Sequence, residues 1–291
     1  MKGNPKEPRM RCYEQHRTEP LADIPLVDRE SEALRLHDAI LKRESLLLSG
    51  PAGTGKTALV LKVLSELPRA MARHCLYLSG VEGVQPLLRW LLQRLYELDD
   101  ATLRRQLHVE GIRENTFKSW LKHQPTSRLK GAVYRSMEKG NYWVFLDHLP
   151  HLTHAEAKIV RELVWMRKTP VFLLARGPTE RDIGHVGNIY WSSRQQLPLD
   201  PLPERAGREL LECCIRKFTL GNLELEDFRK EVLRLSGLVP GTIVRMCHLA
   251  QAPKYRYGSR LKTKLIHIDC LMSGVSFDQL TAARTIMRYR L

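Results

Sequence analysis

The sequence predicts an α/β fold, a parallel five-stranded sheet between helices followed by a small all-α region, and three observations carry that expectation. Five short apolar runs of the buried-strand type are separated by helical stretches, and such alternation argues a parallel sheet covered on both faces. A Gly-rich octapeptide, Gly50-Pro51-Ala52-Gly53-Thr54-Gly55-Lys56-Thr57, stands between the first run and a helix. The strand pattern stops near residue 200, and the chain beyond it reads as helices only.

Residues 1–25 contain four prolines and no hydrophobic period, which reads as a basic N-terminal arm. The stretch from Val27 to Leu34 opens a helix with apolar Leu34, Ala39, Ile40 and Leu41 along it. The strand candidates are Ser45–Gly50, Cys75–Gly80, Tyr142–Leu149, Pro170–Arg176 and Gln196–Leu199. Between the second and third, Gln85–Leu98 carries leucines at 87, 88, 91, 92 and 95, the spacing of one broad apolar helix face. Helices are expected over Glu204–Phe218, Leu225–Ser236, Gly241–Ala250 and Ser276–Arg290, with a boundary at Pro201-Leu202-Pro203. The expected organisation is therefore an arm (1–25), a core (26–202) and a helical region ending in a basic helix (203–291). No internal repeat or low-complexity tract interrupts it.

The chain of 291 residues can hold one large domain or two smaller ones. With 43% hydrophobic and 27% charged residues it reads as a folded globular chain. Its apolar runs are too short to span a bilayer, so no membrane role is expected. Its first twelve residues have no apolar core, which argues against a secretory signal. Six cysteines, at 12, 75, 213, 214, 247 and 270, form no Cys-x-x-Cys pair. That argues against a zinc site or a disulfide framework and fits a reducing cytoplasm. Cys213-Cys214 falls on an apolar helix face and reads as core. His148, His151 and His154, three apart, read as loop histidines rather than a metal site.

The net charge of +15 is clustered. Residues 101–141 hold nine Lys/Arg against three acids, residues 253–291 eight against two, and residues 1–18 five against two, which together make up the whole excess. Clustered positive charge favours a polyanion, here DNA, through counterion release. Phe117, Trp120 and Tyr134 interleave with Lys118, Lys122, Arg128, Lys130 and Arg135. These aromatics either stack on bases or pack the helices that carry them.

The octapeptide carries the sharpest chemistry. Gly50, Gly53 and Gly55 let backbone N–H groups turn inward onto phosphates, Lys56 meets the β/γ oxygens, and Thr57 holds magnesium. Pro51, Ala52, Thr54 and Ala58 complete the cradle, and Ala58–Leu67 supplies a helix whose N-terminus faces the anion. This is a P-loop, and it implies ATP with magnesium. The third strand closes with Val144-Phe145-Leu146-Asp147, four apolar residues capped by an acid. That pattern matches the strand carrying the second magnesium contact of P-loop proteins, with Asp147 reaching the metal through water.

By these residues the chain resembles the AAA+ ATPases, over about residues 26–272, and within them the branch of origin-recognition ATPases and transposon-encoded helper ATPases. Val27-Asp28-Arg29-Glu30, with Glu32 and Leu34, is similar to the family's adenine-side motif, which makes Val27 and Arg29 nucleotide-site residues. Ser193-Arg194, entering the fifth strand at the mouth of the sheet, sits where that branch carries an arginine finger reaching a neighbouring subunit. Ser236-Gly237-Leu238-Val239-Pro240-Gly241-Thr242-Ile243 resembles the family's lid motif, and Pro240, Gly241 and Arg245 would lie over the nucleotide. The resemblance implies a five-stranded core, a helical lid, ATP hydrolysis and a homo-oligomer.

Three positions depart from it. The strand-three Asp is followed by His148 in place of the Glu that aligns the attacking water. The end of strand four offers Ala175-Arg176 in place of a small polar sensor, as in the STAND nucleotide switches. The lid proline is followed by Gly241 in place of Arg, with Arg245 one helical turn later as a substitute. No winged-helix pattern follows the lid, and transposon helpers also end soon after theirs. The reading is an AAA+-like ATPase that oligomerises and assists a DNA transaction, with a protein partner such as a transposase. A STAND-like signalling switch and a non-catalytic ATP-dependent scaffold are the other readings open to these residues.

Overall fold

The structure, a computed structural model, describes residues 24–80, 83–148, 152–166, 168–188 and 192–272. The expected arm up to residue 23, His151 and the expected Ser276–Arg290 helix lie outside them.

Five short strands build the sheet: β1 (Leu46–Ser49), β2 (Cys75–Ser79), β3 (Trp143–Asp147), β4 (Val171–Ala175) and β5 (Gln196–Pro198). All pair in parallel, in the order β2-β3-β4-β1-β5. Side chains on a strand alternate between faces, so each apolar run feeds two layers. Leu47, Val144, Leu146 and Leu173 point into one cluster, while Leu46, Leu48, Phe145, Phe172 and Leu174 point into the other. The second layer is closed by α1 (Glu30–Leu41) and α2 (Lys56–Glu66) through Leu36, Ile40, Leu59, Val60 and Leu64.

The first layer is closed by α3 (Val84–Glu97), α4 (Ala101–Val109), α5 (Glu114–His123), α6 (Thr126–Lys139) and α7 (His154–Trp165). The four helices α3 to α6 all lie between β2 and β3, where the leucine pattern alone had announced one. Buried Asp100 caps α4, accepting from Leu103 N at 2.8 Å, and also takes the Tyr142 hydroxyl at 2.7 Å. This pins the second helix of the group to the start of β3.

The aromatics of the basic stretch belong to this packing. Phe117 and Trp120 are buried, and Phe117 stacks on Tyr96 with ring centroids 3.9 Å apart. Tyr134 donates its hydroxyl to Glu162 on α7. Burial, with that bond, pushes the Tyr134 hydroxyl pKa up; burial raises the Glu162 pKa, but the donors Lys130 and Tyr134 carry it net below the usual carboxylate range. Base stacking by Phe117 and Trp120 is therefore ruled out by their burial.

After β5 the chain forms a separate apolar cluster on α8 (Glu204–Lys217), α9 (Glu226–Ser236) and α10 (Pro240–Leu249), with Leu210, Phe228, Ile243 and Met246 at its centre. Cys214 is buried there, whereas Cys213 is half-exposed and takes an N–H from Arg216. A two-residue hairpin, β6 (Arg256–Tyr257) with β7 (Arg260–Leu261), and helical residues 263–272 complete the described chain. Neither was expected. Tyr257-Gly258-Ser259, with Gly258 at φ 61°, was the turn signal for the hairpin. No described helix is long and apolar enough to cross a membrane.

Candidate nucleotide site

In a parallel sheet, loops leaving the carboxyl ends of the strands converge, and ligands bind there. The octapeptide leaves β1 at that edge and turns into α2. Gly50 is fixed by crowding: a Cβ there would lie 2.3 Å from the Leu199 carbonyl oxygen, where the chain leaves β5. Lys56 folds back on the loop, its Nζ donating to the carbonyls of Gly50 at 2.7 Å and Pro51 at 2.9 Å. A phosphate would compete with these carbonyls for the same ammonium protons. Thr54 is buried and its hydroxyl donates to Pro51 O at 2.9 Å, so its side chain shapes the loop.

Asp147 ends β3 at this edge and is 1% exposed. Its Oδ2 accepts from Thr57 Oγ1 at 2.6 Å and from the Tyr77 hydroxyl, and its Oδ1 accepts from the His148 amide at 2.7 Å. A buried carboxylate needs such donors to offset lost hydration. The Thr57 hydroxyl and the Asp147 carboxylate form a hard-oxygen pair of the kind that takes Mg²⁺ beside phosphate oxygens. The donor set therefore fits magnesium, with Thr57 and Asp147 as the residues to hold it. Among the described residues no cluster of His, Cys, Asp and Glu could hold a metal alone.

His148 is in the left-handed region, φ 49°, with its Nε2 3.9 Å from Asp147 Oδ2. The ring thus turns back on the carboxylate before it. Arg176 follows β4 at the carboxyl edge, beside Gly50, whose amide donates to Ala175 O at 3.3 Å. Its side chain is exposed.

The segment before α1 lies between the loop and the helices beyond β5. Leu26 reaches toward Gly55, Val27 packs into the cluster of α8 to α10, and Arg29 is buried. The Arg29 guanidinium pairs with Glu32 at 2.8 Å and donates to the Asp200 carbonyl at the junction with the helical region. Val27 and Arg29 thus tie the core to the helices beyond β5.

The helical region rests directly on the phosphate loop. The Gly241 amide, in the first turn of α10, donates to Gly53 O at 2.8 Å. A Cβ on Gly241 would lie 2.9 Å from Gly53 Cα and 3.0 Å from its oxygen. This explains why no arginine follows Pro240: any side chain there would push the helix off the loop. Arg245 is half-buried and lies close enough to the Cys270 thiol, in the 263–272 helix, to influence it.

Arg194 is elsewhere. It precedes β5, whose first residue, Gln196, pairs with Leu47 near the start of β1. The expectation that it stands at the mouth of the sheet is corrected: it enters from the amino-terminal edge, opposite the phosphate loop. It is exposed, and its carbonyl accepts from Arg35 at 3.0 Å.

A family profile described as the AAA ATPase domain matches residues 25–174, more than half of the chain. The chain belongs to the AAA ATPase family. It is a P-loop protein of the nucleotide-binding kind. No curated protein matches its sequence. Among solved structures it is similar to a Walker-type ATPase of Pyrococcus abyssi, at 15% identity over 91% of this chain and 79% of that one, with a TM-score of 0.57. It is also similar to the Aeropyrum pernix ORC1 protein in complex with DNA, at 17% identity over 88% and 68% of the two chains, with a TM-score of 0.58. At these identities the likeness is one of fold.

Tyr77 was missed from the sequence. The cue was an aromatic hydroxyl two residues before the end of a strand adjoining β3, but nothing local ties it to Asp147.

Proposed function

We propose that this AAA ATPase binds ATP with magnesium, hydrolyses it slowly, assembles with copies of itself, and assists a DNA transaction in the cytoplasm. The observation that carries the nucleotide chemistry is the 2.6 Å contact between Thr57 and Asp147 beside the folded-back Lys56. In use, Lys56 would exchange loop carbonyls for β/γ-phosphate oxygens. The amides of the loop and of the first turn of α2 would hold the phosphates. Thr57 and Asp147 would hold the cation, which when bound supplies charge neutralisation on the phosphate oxygens. His148 is turned toward Asp147, and in neutral form it can accept one proton from water. A carboxylate is anionic at neutral pH and accepts from water through either oxygen, whereas the ring accepts through one nitrogen and only when neutral, so slow turnover is expected.

Arg194, on the edge away from its own loop, cannot serve its own nucleotide without crossing the sheet. This favours service to a neighbour, for which a permanently charged, forked guanidinium is well suited. For DNA, the support is a set of exposed cations on α4 and α5. Among the described residues Arg105, Lys118 and Lys122 make no ion pair, while Arg128 pairs with Glu110 at 2.9 Å and Lys130 with Glu162 at 2.6 Å. The ORC1 structure it resembles in fold is a DNA complex. A protein partner such as a transposase, or an initiator-like role, fits the same reading. The STAND-like switch is the second reading, favoured by Arg176 at the carboxyl edge and by the direct seat of α10 on Gly53.

Mixing two variants decides between them. Lys56→Ala loses productive nucleotide, Arg194→Ala loses the finger, and each alone is expected to be nearly inactive. Mixed, some interfaces would join an intact loop to an intact Arg194, and partial recovery of ATPase activity is expected. No recovery, in mixtures shown by light scattering to co-assemble, would count against Arg194 acting in trans and would put the switch first.

A further inference from the structure

Asp147 has three donors, and one of them belongs to no recognised motif. Tyr77 stands in the middle of β2, opposite Phe145 of β3, and its ring packs against the cluster under α1 and α2. Its hydroxyl reaches along the sheet to Asp147 Oδ2, the oxygen that also takes the Thr57 hydroxyl.

We propose that Tyr77 is a positioning residue of the metal site, holding the Asp147 carboxylate in the one orientation in which it and the Thr57 hydroxyl meet a divalent cation together. The proposal rests on the ATP–magnesium reading above. The terminal torsion of an aspartate is soft, so a carboxylate is placed by its hydrogen bonds. Thr57 alone is a poor anchor, because its oxygen is the group the cation calls on. Tyr77 lacks that weakness. It stands on a strand outside the loop, and a neutral phenol is a poor partner for Mg²⁺, which prefers carboxylates, phosphates and water. It acts through Asp147.

Tyr77→Phe removes the hydroxyl and keeps the ring. A fluorescent ATP analogue is titrated with EDTA present, and again across a Mg²⁺ series. The metal-free affinity is expected to be unchanged, and the Mg²⁺ midpoint to rise about tenfold, the scale of one hydrogen bond to a charged group. On an Asp147→Asn background the same substitution is expected to move the midpoint no further. An unmoved midpoint overturns the proposal. So does a parallel fall in metal-free affinity, which would make Tyr77 a packing residue, or an equal shift on the Asp147→Asn background. A wild-type protein whose binding ignores Mg²⁺ would instead sink the metal reading of the site, and with it this proposal. If the Phe variant does not fold, Tyr77→Leu, which also lacks the hydroxyl, carries the same test. Failure of both to fold makes the residue structural and overturns the inference.

Discussion

Gly241→Ala is the smallest change that tests whether the helical region sits on the phosphate loop. The added Cβ would lie 2.9 Å from Gly53 Cα and 3.0 Å from Gly53 O, both backbone atoms that cannot swing aside as a side chain would. Something must shift by a few tenths of an ångström, and the 2.8 Å bond from the Gly241 amide to Gly53 O is the contact most directly strained. Overpacking of this kind costs about 1–3 kcal/mol. Replacing Gly by Ala in a helix returns up to about 1 kcal/mol. The net expectation is a loss of about 1–2 kcal/mol in the seating of α10, read as a lowered Tm and faster trypsin cleavage after Arg205 and Arg208. If nucleotide is held between the loop and α10, ATP affinity falls by about tenfold, since about 1.4 kcal/mol is a factor of ten. Gly221→Ala is the internal control, because a Cβ there meets nothing within 4 Å. It is expected to change stability by at most about 1 kcal/mol, in the stabilising direction. A Gly241→Ala protein with unchanged Tm, cleavage and affinity would refute the contact and the account of why glycine follows Pro240.

Two further outcomes are expected from the same geometry. Charge reversal at Arg105, Lys118 and Lys122 is expected to weaken DNA binding to many sequences alike and to flatten its salt dependence, measured by fluorescence anisotropy across a salt series, because phosphate contacts carry no sequence information; reversal at Arg128, already paired with Glu110, should do less, and equal effects would contradict the assignment of the free cations. His148→Glu restores an anionic acceptor beside Asp147 and is expected to raise ATP turnover by about 10²-fold or more in a steady-state assay, general-base contributions being about 10²–10⁴-fold; wild-type turnover already at tens per second would dispose of that idea.

What could be read from the sequence was what the local chain dictates. The phosphate loop, the apolar runs and the leucine face each need only a few neighbouring residues, and each stands close to where it was expected. Strand ends shifted by a residue or so: Ser45–Gly50 shortened to Leu46–Ser49, since Gly50 already turns with the loop. The aromatics of the basic stretch were ambiguous because interleaved charge is common both to a nucleic-acid face and to the outer side of a packed helix. Their spacing held the answer. Phe117, Trp120 and Leu121 fall three and four apart and share one side of α5, which leaves Lys118 and Lys122 outward.

The contacts that fix the geometry of the site were illegible for a different reason. Thr57 and Asp147, 90 residues apart, were expected at one metal from their motifs alone, but nothing local links Tyr77 to Asp147, 70 residues on. Gly53 meets Gly241 only after the whole sheet has been laid down between them. Such contacts are set by the sheet: inserting β4 between β1 and β3 brings the carboxyl ends of β1, β4 and β3 side by side, and the parallel run of β5 leaves its approach at the opposite edge. The same topology that gathers Lys56, Thr57, Asp147, His148 and Arg176 therefore separates Arg194 from them. An arginine that no rearrangement within one sheet can bring to its own phosphates either serves a second subunit or serves no phosphate at all. The sheet topology thus turns a question about a residue's role into one about assembly.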